Sequence, residues 1–460
     1  MPHKTRLAMT YRHLARICTA ASALAVFLAM SWLYRQGYTE TYYAILRGWG
    51  IEPFRFPFVD ASGWLAAWEC TRQGVDVIPF DPCDVLQRGY SSSPLWLALA
   101  GVPLGVADTT AVGWILGLAF IACLTLLPAP LGARALVLVT AATMSTMVVF
   151  AVERANPDLL LFMLVLATGL LAESRLWGAR LLGYGIALFA ALLKYYPIVV
   201  LVAAFRERMA VLLTVILSAV AVLVVFWVVC HDDLARGLPT IAAGPYNTDL
   251  FAAKNLPFLV GMLVEVAAAP SPNAGVVGWA MAAGLYAALF GAALAICRRV
   301  LLVPGLSAAV AALSERERTL MVIGSAVIAG CFFAGQSIGY RGIYLLLVIP
   351  GLLGLSRGAT PAVRVLSLAT AIVIVLLMWG EALRRALDGG FGFWLLRELG
   401  WWWSVSVMLA VLADFLRASP ICRGAAAWLG GAPGAVLATA PEVPVQRRER
   451  GRRGGRGRYC

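Results

Sequence analysis

Long apolar runs constrain this chain more than any other feature of its sequence. Runs of about 18 or more residues recur from end to end, and a helix needs that length to cross a bilayer. Since every backbone polar group in lipid must be satisfied within the protein, the runs predict helices. Composition agrees, because only 13% of the residues are charged, against about a quarter in soluble domains. The sequence therefore predicts an all-α, polytopic membrane helical bundle.

The apolar runs predict about 12 membrane segments of the length a bilayer requires. The first run follows a basic start and is too long for a signal peptide, so we expect it to remain as a span. Residues 1–13 then form a cytoplasmic N-terminus, 14–416 the membrane domain and 417–460 a basic, disordered cytoplasmic tail. Residues 35–108 form a large first extracytoplasmic loop with interfacial helices. The segments lie near 14–34, 109–128, 133–151, 157–174, 180–197, 197–206, 209–230, 275–297, 318–336, 341–356, 361–380 and 400–416.

The formal net charge of +13 is unevenly distributed between the two sides of this topology. With the N-terminus inside, the cytoplasmic segments hold 24 of the 37 Lys+Arg and 7 of the 24 Asp+Glu. The positive-inside rule expects this bias. The topology thus accounts for the positive net charge, and we predict membrane lipids rather than nucleic acid as partners.

The orientation of everything after residue 205 depends on whether residues 181–205 cross the membrane once or turn back. They are too few for two full crossings, which need about 40 residues. Read as one span, they would place the nine arginines from Arg417 onward on the outer side, against the charge rule. We therefore predict a re-entrant hairpin that reverses at Pro197. Such a hairpin is tolerated where protein or a watery cavity surrounds it.

The 35–108 loop carries several carboxylates, of which Asp60 lies nearest the start of a helical, amphipathic stretch. One interpretation makes Asp60 an N-cap, because Asp is favoured there and suits the positive end of a helix. The other makes it a catalytic base, and the two roles are compatible. Cys70 and Cys83 share the loop, and the sequence leaves both a disulfide and two free thiols open, since it does not show geometry.

Polar residues also stand at the ends of later spans. Asn156 and Asp158 suit a helix start, but caps alone do not need Glu153 and Arg154 beside them. Lys194 follows a long uncharged stretch and either snorkels to the interface or binds an anion. Arg341, at a tight outer turn, either anchors to headgroups or recognises phosphate.

The chain lacks a nucleotide-binding glycine loop, a metal cluster and a redox signature, so we predict no cofactor and no metal. Outer carboxylates with cations at span ends suit group transfer from a lipid-linked phosphate donor. Glycosyl transfer needs a base for the acceptor hydroxyl and fixed positive charge for the departing phosphate. A transporter or lipid flippase, and a non-catalytic membrane scaffold, are the alternatives.

Four segments in order resemble the GT-C-type integral-membrane glycosyltransferases, most closely glycosyltransferase family 87, which uses polyprenol-phosphate-mannose. They are Val59-Asp60 through Tyr90-Ser-Ser-Ser-Pro94, Glu153-Arg154-Ala-Asn156-Pro-Asp158, Lys194-Tyr-Tyr-Pro197 and Tyr340-Arg341. The turn before Tyr340 departs from the pattern, since it reads Gln-Ser-Ile-Gly instead of containing Asn.

The resemblance implies a GT-C-like bundle in the cell inner membrane, with metal-free catalysis on the extracytoplasmic face. It implies inverting transfer of a sugar, mannose by default, from a polyprenyl-phosphate donor to a glycan or glycolipid acceptor. Asp60 is the expected general base. The expected donor-phosphate ligands are Lys194, Arg341 and Arg154, and the expected cleft residues are Asn156, Asp158, Tyr90, Tyr196 and Tyr340.

Overall fold

The structure, a computed structural model, describes residues 2–78, 80–237, 239, 250–269, 271–358 and 360–423, with backbone only for residues 2–13. Within these ranges the chain is helical and contains no strand beyond an isolated bridge between Phe251 and Ser337. The all-α prediction is therefore confirmed for this part of the chain. The tail predicted over 417–460 lies outside the described residues from 424 onward.

The described residues form eighteen α-helices and four 3-10 helices. The α-helices are α1 Pro2–Arg35, α2 Thr39–Gly48, α3 Val59–Arg72, α4 Pro94–Leu97, α5 Thr109–Leu124, α6 Ala133–Thr143, α7 Thr146–Glu153, α8 Asp158–Ala172, α9 Trp177–Lys194, α10 Met209–Gly237, α11 Asn255–Ala268, α12 Ala274–Leu301, α13 Leu306–Ala312, α14 Glu315–Ala334, α15 Leu345–Gly358, α16 Pro361–Met378, α17 Gly380–Ala386 and α18 Phe391–Arg417. The 3-10 helices are Ala98–Gly101, Val106–Asp108, Tyr196–Arg206 and Gly339–Tyr344.

Nine helices in the described ranges are long and apolar enough to cross a membrane, or ten if α6 and α7, which meet at a 40° bend, form one span. The chain is thus a polytopic helical membrane protein. Two of the twelve predicted segments correspond to α8 and the 3-10 helix Tyr196–Arg206, which are apolar but below full spanning length. They account for the difference between the predicted and the observed number of spans. Another short apolar helix, α11, packs against α12 and was not among the predicted segments.

The bundle has a buried centre and a lipid-facing periphery. The spans containing α14 and α15 are buried over 78% and 83% of their most apolar stretch, whereas for α10 and α12 the values are 11% and 17%. Apolar side chains that face outward from α10 and α12 belong in lipid, which is as apolar as they are. The buried helices α14 and α15 therefore form the centre of the bundle and fix the position of the residues that follow their ends.

The chain reverses direction between α9 and the 3-10 helix Tyr196–Arg206. Glu207, just after the 3-10 helix, accepts hydrogen bonds from Arg180 at 2.7 Å and from Tyr184 at 3.0 Å, both in α9. The two ends of residues 180–207 therefore meet on one side of the bundle, as the hairpin prediction expects. The reversal falls at Tyr195, two residues before Pro197.

Ion pairs gather at that same end of the bundle, which we call the ion-pair end. They join Arg180 to Glu207, Arg206 to Glu315, Arg316 to Glu173 and Arg357 to Glu317. These residues lie at the ends of α8, α9, α14, α15 and the 3-10 helix Tyr196–Arg206, all of which sequence analysis assigns to the basic, cytoplasmic side. The opposite ends of α8, α9 and α14 carry Asp158, Lys194 and, after a turn, Arg341.

The first loop is a folded unit docked on the bundle. A disulfide joins Cys70 to Cys83, with the two Cα atoms 5.9 Å apart, which resolves the question the sequence left open. Arg72 donates hydrogen bonds to the backbone carbonyls of Ala100, Val102 and Leu104. The indole of Trp96 donates to the carbonyl of Leu193 at 3.0 Å, so the loop is fixed beside the end of α9.

Candidate functional site

The start of α3 is held by the end of α7. The backbone N–H of Phe58 donates to the carbonyl of Glu153 at 2.7 Å, and that of Asp60 donates to the carbonyl of Arg154 at 3.1 Å. The first N–H groups of a helix lack partners within the helix, and here another helix supplies them. Phe58 is the N-cap residue, and its side chain makes no cap. The N-cap interpretation of Asp60 is therefore wrong, and its carboxylate is available for other contacts.

Three side chains surround the Asp60 carboxylate, which is 13% exposed. The amide of Asn156 donates to Oδ2 at 2.7 Å, and Arg88 Nη1 donates to Oδ1 at 3.3 Å. Arg154 Nη1 lies 3.6 Å from the same oxygen. Asn156 also satisfies the start of α8, because its Oδ1 accepts from the N–H of Asp158 at 2.9 Å. The structure thus brings together Asp60, Arg154 and Asn156, three of the residues predicted for the site.

Arg88 is a site residue that sequence analysis missed. Its Nε donates to Asp84 at 2.7 Å and Nη2 donates to the carbonyl of Val59 at 3.0 Å. Burial lowers the pKa of Arg88, but the carboxylates of Asp84 and Asp60 raise it by more, and the net pKa lies above its ordinary value. The four-residue spacing of Asp84 and Arg88 is the one signal that the sequence offers for this pair.

Arg154 is fixed by aromatic rings as well as by charge. Its guanidinium carbon lies 4.4 Å from the ring centroids of both Phe54 and Phe150. A cation between two aromatic faces gains from both ring quadrupoles and has little freedom to turn. The side chain is therefore held in place next to Asp60.

Backbone strain is concentrated beside these residues. The described chain has four non-glycine residues with positive φ, of which Phe58, Gln87 and Ala155 have φ of 65°, 53° and 45°. Phe58 is two residues before Asp60, Gln87 precedes Arg88, and Ala155 separates Arg154 from Asn156. Such conformations cost about 1–3 kcal/mol each and cluster at functional sites. The strain marks this cluster as a functional candidate independently of charge.

A second cluster surrounds Asp158, which is fully buried. Lys194 Nζ donates to Oδ1 at 2.5 Å, and Arg341 Nε lies 3.6 Å from Oδ2. Lys194 and Arg341 are 18% and 20% exposed, so both cations reach the boundary of the buried region. Two cations share one carboxylate, which leaves an excess of one positive charge.

Aromatic rings connect the two clusters. Lys194 Nζ lies 5.7 Å from the ring centroid of Tyr340, and the guanidinium of Arg341 lies 5.2 Å from that of Tyr196. The ring of Tyr340 is in turn 5.6 Å from that of Phe150, which stacks on Arg154. Together with Asn156, which contacts Asp60 and the backbone of Asp158, these rings make one continuous site.

Tyr90 has a different environment from the other predicted cleft residues. It is buried, and its hydroxyl donates to the carbonyl of Ser93 at 2.8 Å. It packs in the apolar core of the first loop with Trp68, Trp96 and Cys70. In this structure Tyr90 therefore contributes to the packing of the loop.

The described residues contain one group with the proximity needed for metal binding, formed by Cys70, Asp81 and Cys83. Its two sulfurs are bonded to each other in the disulfide, so they are not thiolate ligands. His231 lies elsewhere, in the last turns of α10, where it contacts Asp232 at 3.1 Å.

The fold and the site together define a polytopic helical membrane protein with a strained, charged site at the end of the bundle opposite the ion-pair end. Comparison with protein-family profiles, curated proteins and solved structures finds no match to this chain.

Proposed function

We propose that the chain is an inverting glycosyltransferase. It transfers a sugar, mannose by default, from a polyprenyl-phosphate donor to an acceptor hydroxyl at the extracytoplasmic face of the cell inner membrane. The observation that carries the proposal is that Asp60 and the Lys194–Arg341 pair belong to one site, joined through Asn156 and Asp158. A base and an anion site are the two parts that this reaction needs.

Asp60 takes the role of general base. As the acceptor oxygen attacks the anomeric carbon, its proton passes to a carboxylate oxygen of Asp60, and the bond from that carbon to the phosphate oxygen breaks. One displacement at the anomeric carbon inverts its configuration. The amide of Asn156 and the guanidiniums of Arg88 and Arg154 hold the carboxylate in position, and fixed geometry of this kind lowers the barrier.

Lys194 and Arg341 take the role of phosphate ligands. Among the described residues, their single shared carboxylate leaves one positive charge without a counter-ion, and a lipid phosphate would balance it. Phosphate leaves with its electrons in this reaction, so fixed cations stabilise the charge that develops. Arg154, between two rings beside Asp60, lies where it adds to this stabilisation.

The proposed side of the membrane follows from charge. The ion-pair end joins segments that are rich in Lys and Arg, and the positive-inside rule assigns such segments to the cytoplasm. The site lies at the other ends of the same helices and is therefore extracytoplasmic. A polyprenyl-phosphate sugar is a suitable donor there because its apolar chain stays in the bilayer.

Transfer of labelled sugar by the purified protein in proteoliposomes tests the proposal. We expect label from polyprenyl-phosphate-mannose to enter the lipid and glycan fractions of an added membrane extract. Lys194→Met keeps the length of the side chain but removes its charge, and a charged hydrogen bond is worth about 1.5–3 kcal/mol. The KM for the donor should rise by roughly tenfold or more.

The matched control is Lys254→Met, at the start of α11, where the side chain makes no contact with Asp158 in the described structure. It should leave the KM for the donor unchanged. If Lys194→Met and the wild type have the same KM for the donor, Lys194 is not part of the phosphate site. Movement of the intact donor across the bilayer without transfer would favour a flippase instead.

Gly63 offers a way to move Arg88 without touching a charged residue. A Cβ on Gly63 would lie 2.4 Å from Nη2 of Arg88, the mobile end of a long side chain. Gly63→Ala should therefore displace the guanidinium from Asp60 and lower turnover. Helix stability should be kept or improved, since Ala exceeds Gly by about 1 kcal/mol in helix propensity.

The control for this variant is Gly291→Ala in α12, where an added Cβ meets nothing within 4 Å. Thermal unfolding and transfer are measured for both proteins. Full turnover in Gly63→Ala with unchanged stability would show that the contact between Arg88 and Asp60 is dispensable.

A further inference from the structure

A cavity of about 440 Å³ lies beside the proposed site, between α1, α2, α5 and α7. This volume is within the roughly 300–1,000 Å³ typical of small-molecule sites. Along α1 it extends from Ala23 to Arg35, which corresponds to about 18 Å at 1.5 Å per residue. Its walls are mainly apolar, with Phe27, Trp114 and Phe120 among them. The cavity therefore has the length and the lining for one apolar chain.

Two buried polar atoms in the wall of this cavity have no hydrogen-bond partner. They are Oε2 of Glu153 and Oγ of Ser62. Glu153 is 8% exposed and Ser62 is 1% exposed. The other oxygen of Glu153 accepts from the hydroxyl of Tyr42 at 3.0 Å, so the carboxylate is held in place through one of its two oxygens. A buried acceptor that lacks a donor destabilises the fold, and a ligand that donates a hydrogen bond to it would recover that loss.

Both residues are adjacent to the proposed catalytic elements. Glu153 precedes Arg154, and its backbone carbonyl accepts from the N–H of Phe58. Ser62 is in α3, two residues after Asp60. The polar part of the cavity is therefore lined by the same segments that carry Asp60 and Arg154, whereas its apolar part follows α1 and α5 towards the middle of the bundle.

We infer that this cavity binds the apolar chain of the acceptor, and that the acceptor is a single-chain lipid with a hydroxyl-bearing head. The head donates a hydroxyl hydrogen bond to Oε2 of Glu153 and contacts Ser62. This inference rests on the proposed function, because the identity of the bound lipid as acceptor requires that sugar transfer occurs. It narrows the acceptor class from glycans in general to lipid-anchored hydroxyl compounds.

The chemistry of the wall favours a hydroxyl over a charged head. Arg154, the next residue, interacts electrostatically with the Glu153 carboxylate, so a second cation is not required. Ser62 is able both to donate and to accept, and a hydroxyl makes use of both functions, whereas an ammonium group uses only the acceptor function. An anionic head would face the carboxylate of Glu153 and be repelled.

Binding of radiolabelled dodecyl glucoside to the protein in nanodiscs, below its critical micelle concentration, tests the inference without needing turnover. Ala23→Phe places a ring in the cavity, and we expect it to weaken binding by at least tenfold. Ala25→Phe, two residues along α1 on an exposed face, is the matched control and should bind like the wild type. Thermal unfolding checks that both variants are folded.

A second variant tests the head group. Glu153→Gln should weaken dodecyl glucoside binding, while leaving the binding of 1-bromododecane, which lacks a hydroxyl, unchanged. Equal binding of the glucoside by Ala23→Phe and the wild type would overturn the site. Equal binding by Glu153→Gln would overturn the role of the hydroxyl.

Transfer assays separate this inference from the proposed function. If the glucoside binds in the cavity but Ala23→Phe transfers sugar to lipid acceptors at the wild-type rate, the cavity holds a structural lipid only, and the acceptor assignment is overturned. If the glucoside binds and no variant or wild-type protein transfers sugar, the proposed function fails while the lipid site stands.

Discussion

Asp60→Asn is expected to lower sugar transfer by about 10²- to 10⁴-fold, the contribution typical of a general base. Asparagine has the shape of aspartate and still accepts a hydrogen bond from the amide of Asn156, but its side chain does not take up the acceptor proton. The start of α3 should be unaffected, because the carbonyls of Glu153 and Arg154 hold it through the backbone. The loss should therefore be in kcat, with insertion and expression unchanged.

Initial rates with a labelled polyprenyl-phosphate sugar measure this effect, with Asp76→Asn as the matched control. Asp76 belongs to the same loop but is half exposed and pairs with Arg236, away from Asp60. Exposed ion pairs are worth about 0–1 kcal/mol, so the control should stay close to wild type. Near-normal turnover in Asp60→Asn would show that Asp60 is not the base. Its ion pairs would then have a structural role only.

Asp158→Asn should have the largest effect on stability. Asp158 is fully buried and pairs with both Lys194 and Arg341, so the variant leaves two neighbouring cations without a carboxylate. Breaking a buried ion pair by removal of one partner costs about 3–5 kcal/mol. We expect a lower midpoint of thermal unfolding in detergent, followed by intrinsic fluorescence.

Two further measurements assign the cause of that loss. The double variant Asp158→Asn/Lys194→Met should be more stable than Asp158→Asn alone, because it removes one of the unpaired charges. Added polyprenyl phosphate should raise the unfolding midpoint of Asp158→Asn, since its phosphate supplies the missing negative charge. Additive losses in the double variant would show that Asp158 acts through packing and not through these cations.

The fold class followed from the sequence because apolar length has a direct physical meaning in a bilayer. Apolar length was a less exact guide to the number of spans where the helices are short. Residues of α8 and of Tyr196–Arg206 are apolar, but the bundle ends them before a full crossing. The reversal near Pro197 followed from charge, and the contact of Glu207 with Arg180 agrees with it.

Parts of the site were also accessible from the sequence. Asp60, Arg154, Asn156, Asp158, Lys194 and Arg341 were each selected as polar residues at span ends, where lipid makes unpaired charge costly. The residues that these side chains contact could not be predicted from the sequence. Glu153 meets Ser62 at the cavity, and Arg88 meets Asp60, only through contacts between segments far apart in the chain, which no local pattern encodes.

The large polar loop and the recurring apolar runs were determined by the sequence alone, because lipid sorts residues by hydrophobicity and by charge. The tertiary structure decided what the polar residues do there. It showed that α7, and not the side chain of Asp60, satisfies the start of α3, and that Lys194 and Arg341 share Asp158. Those outcomes depend on which helix ends meet, and helix packing sets that through side-chain shape across the whole bundle.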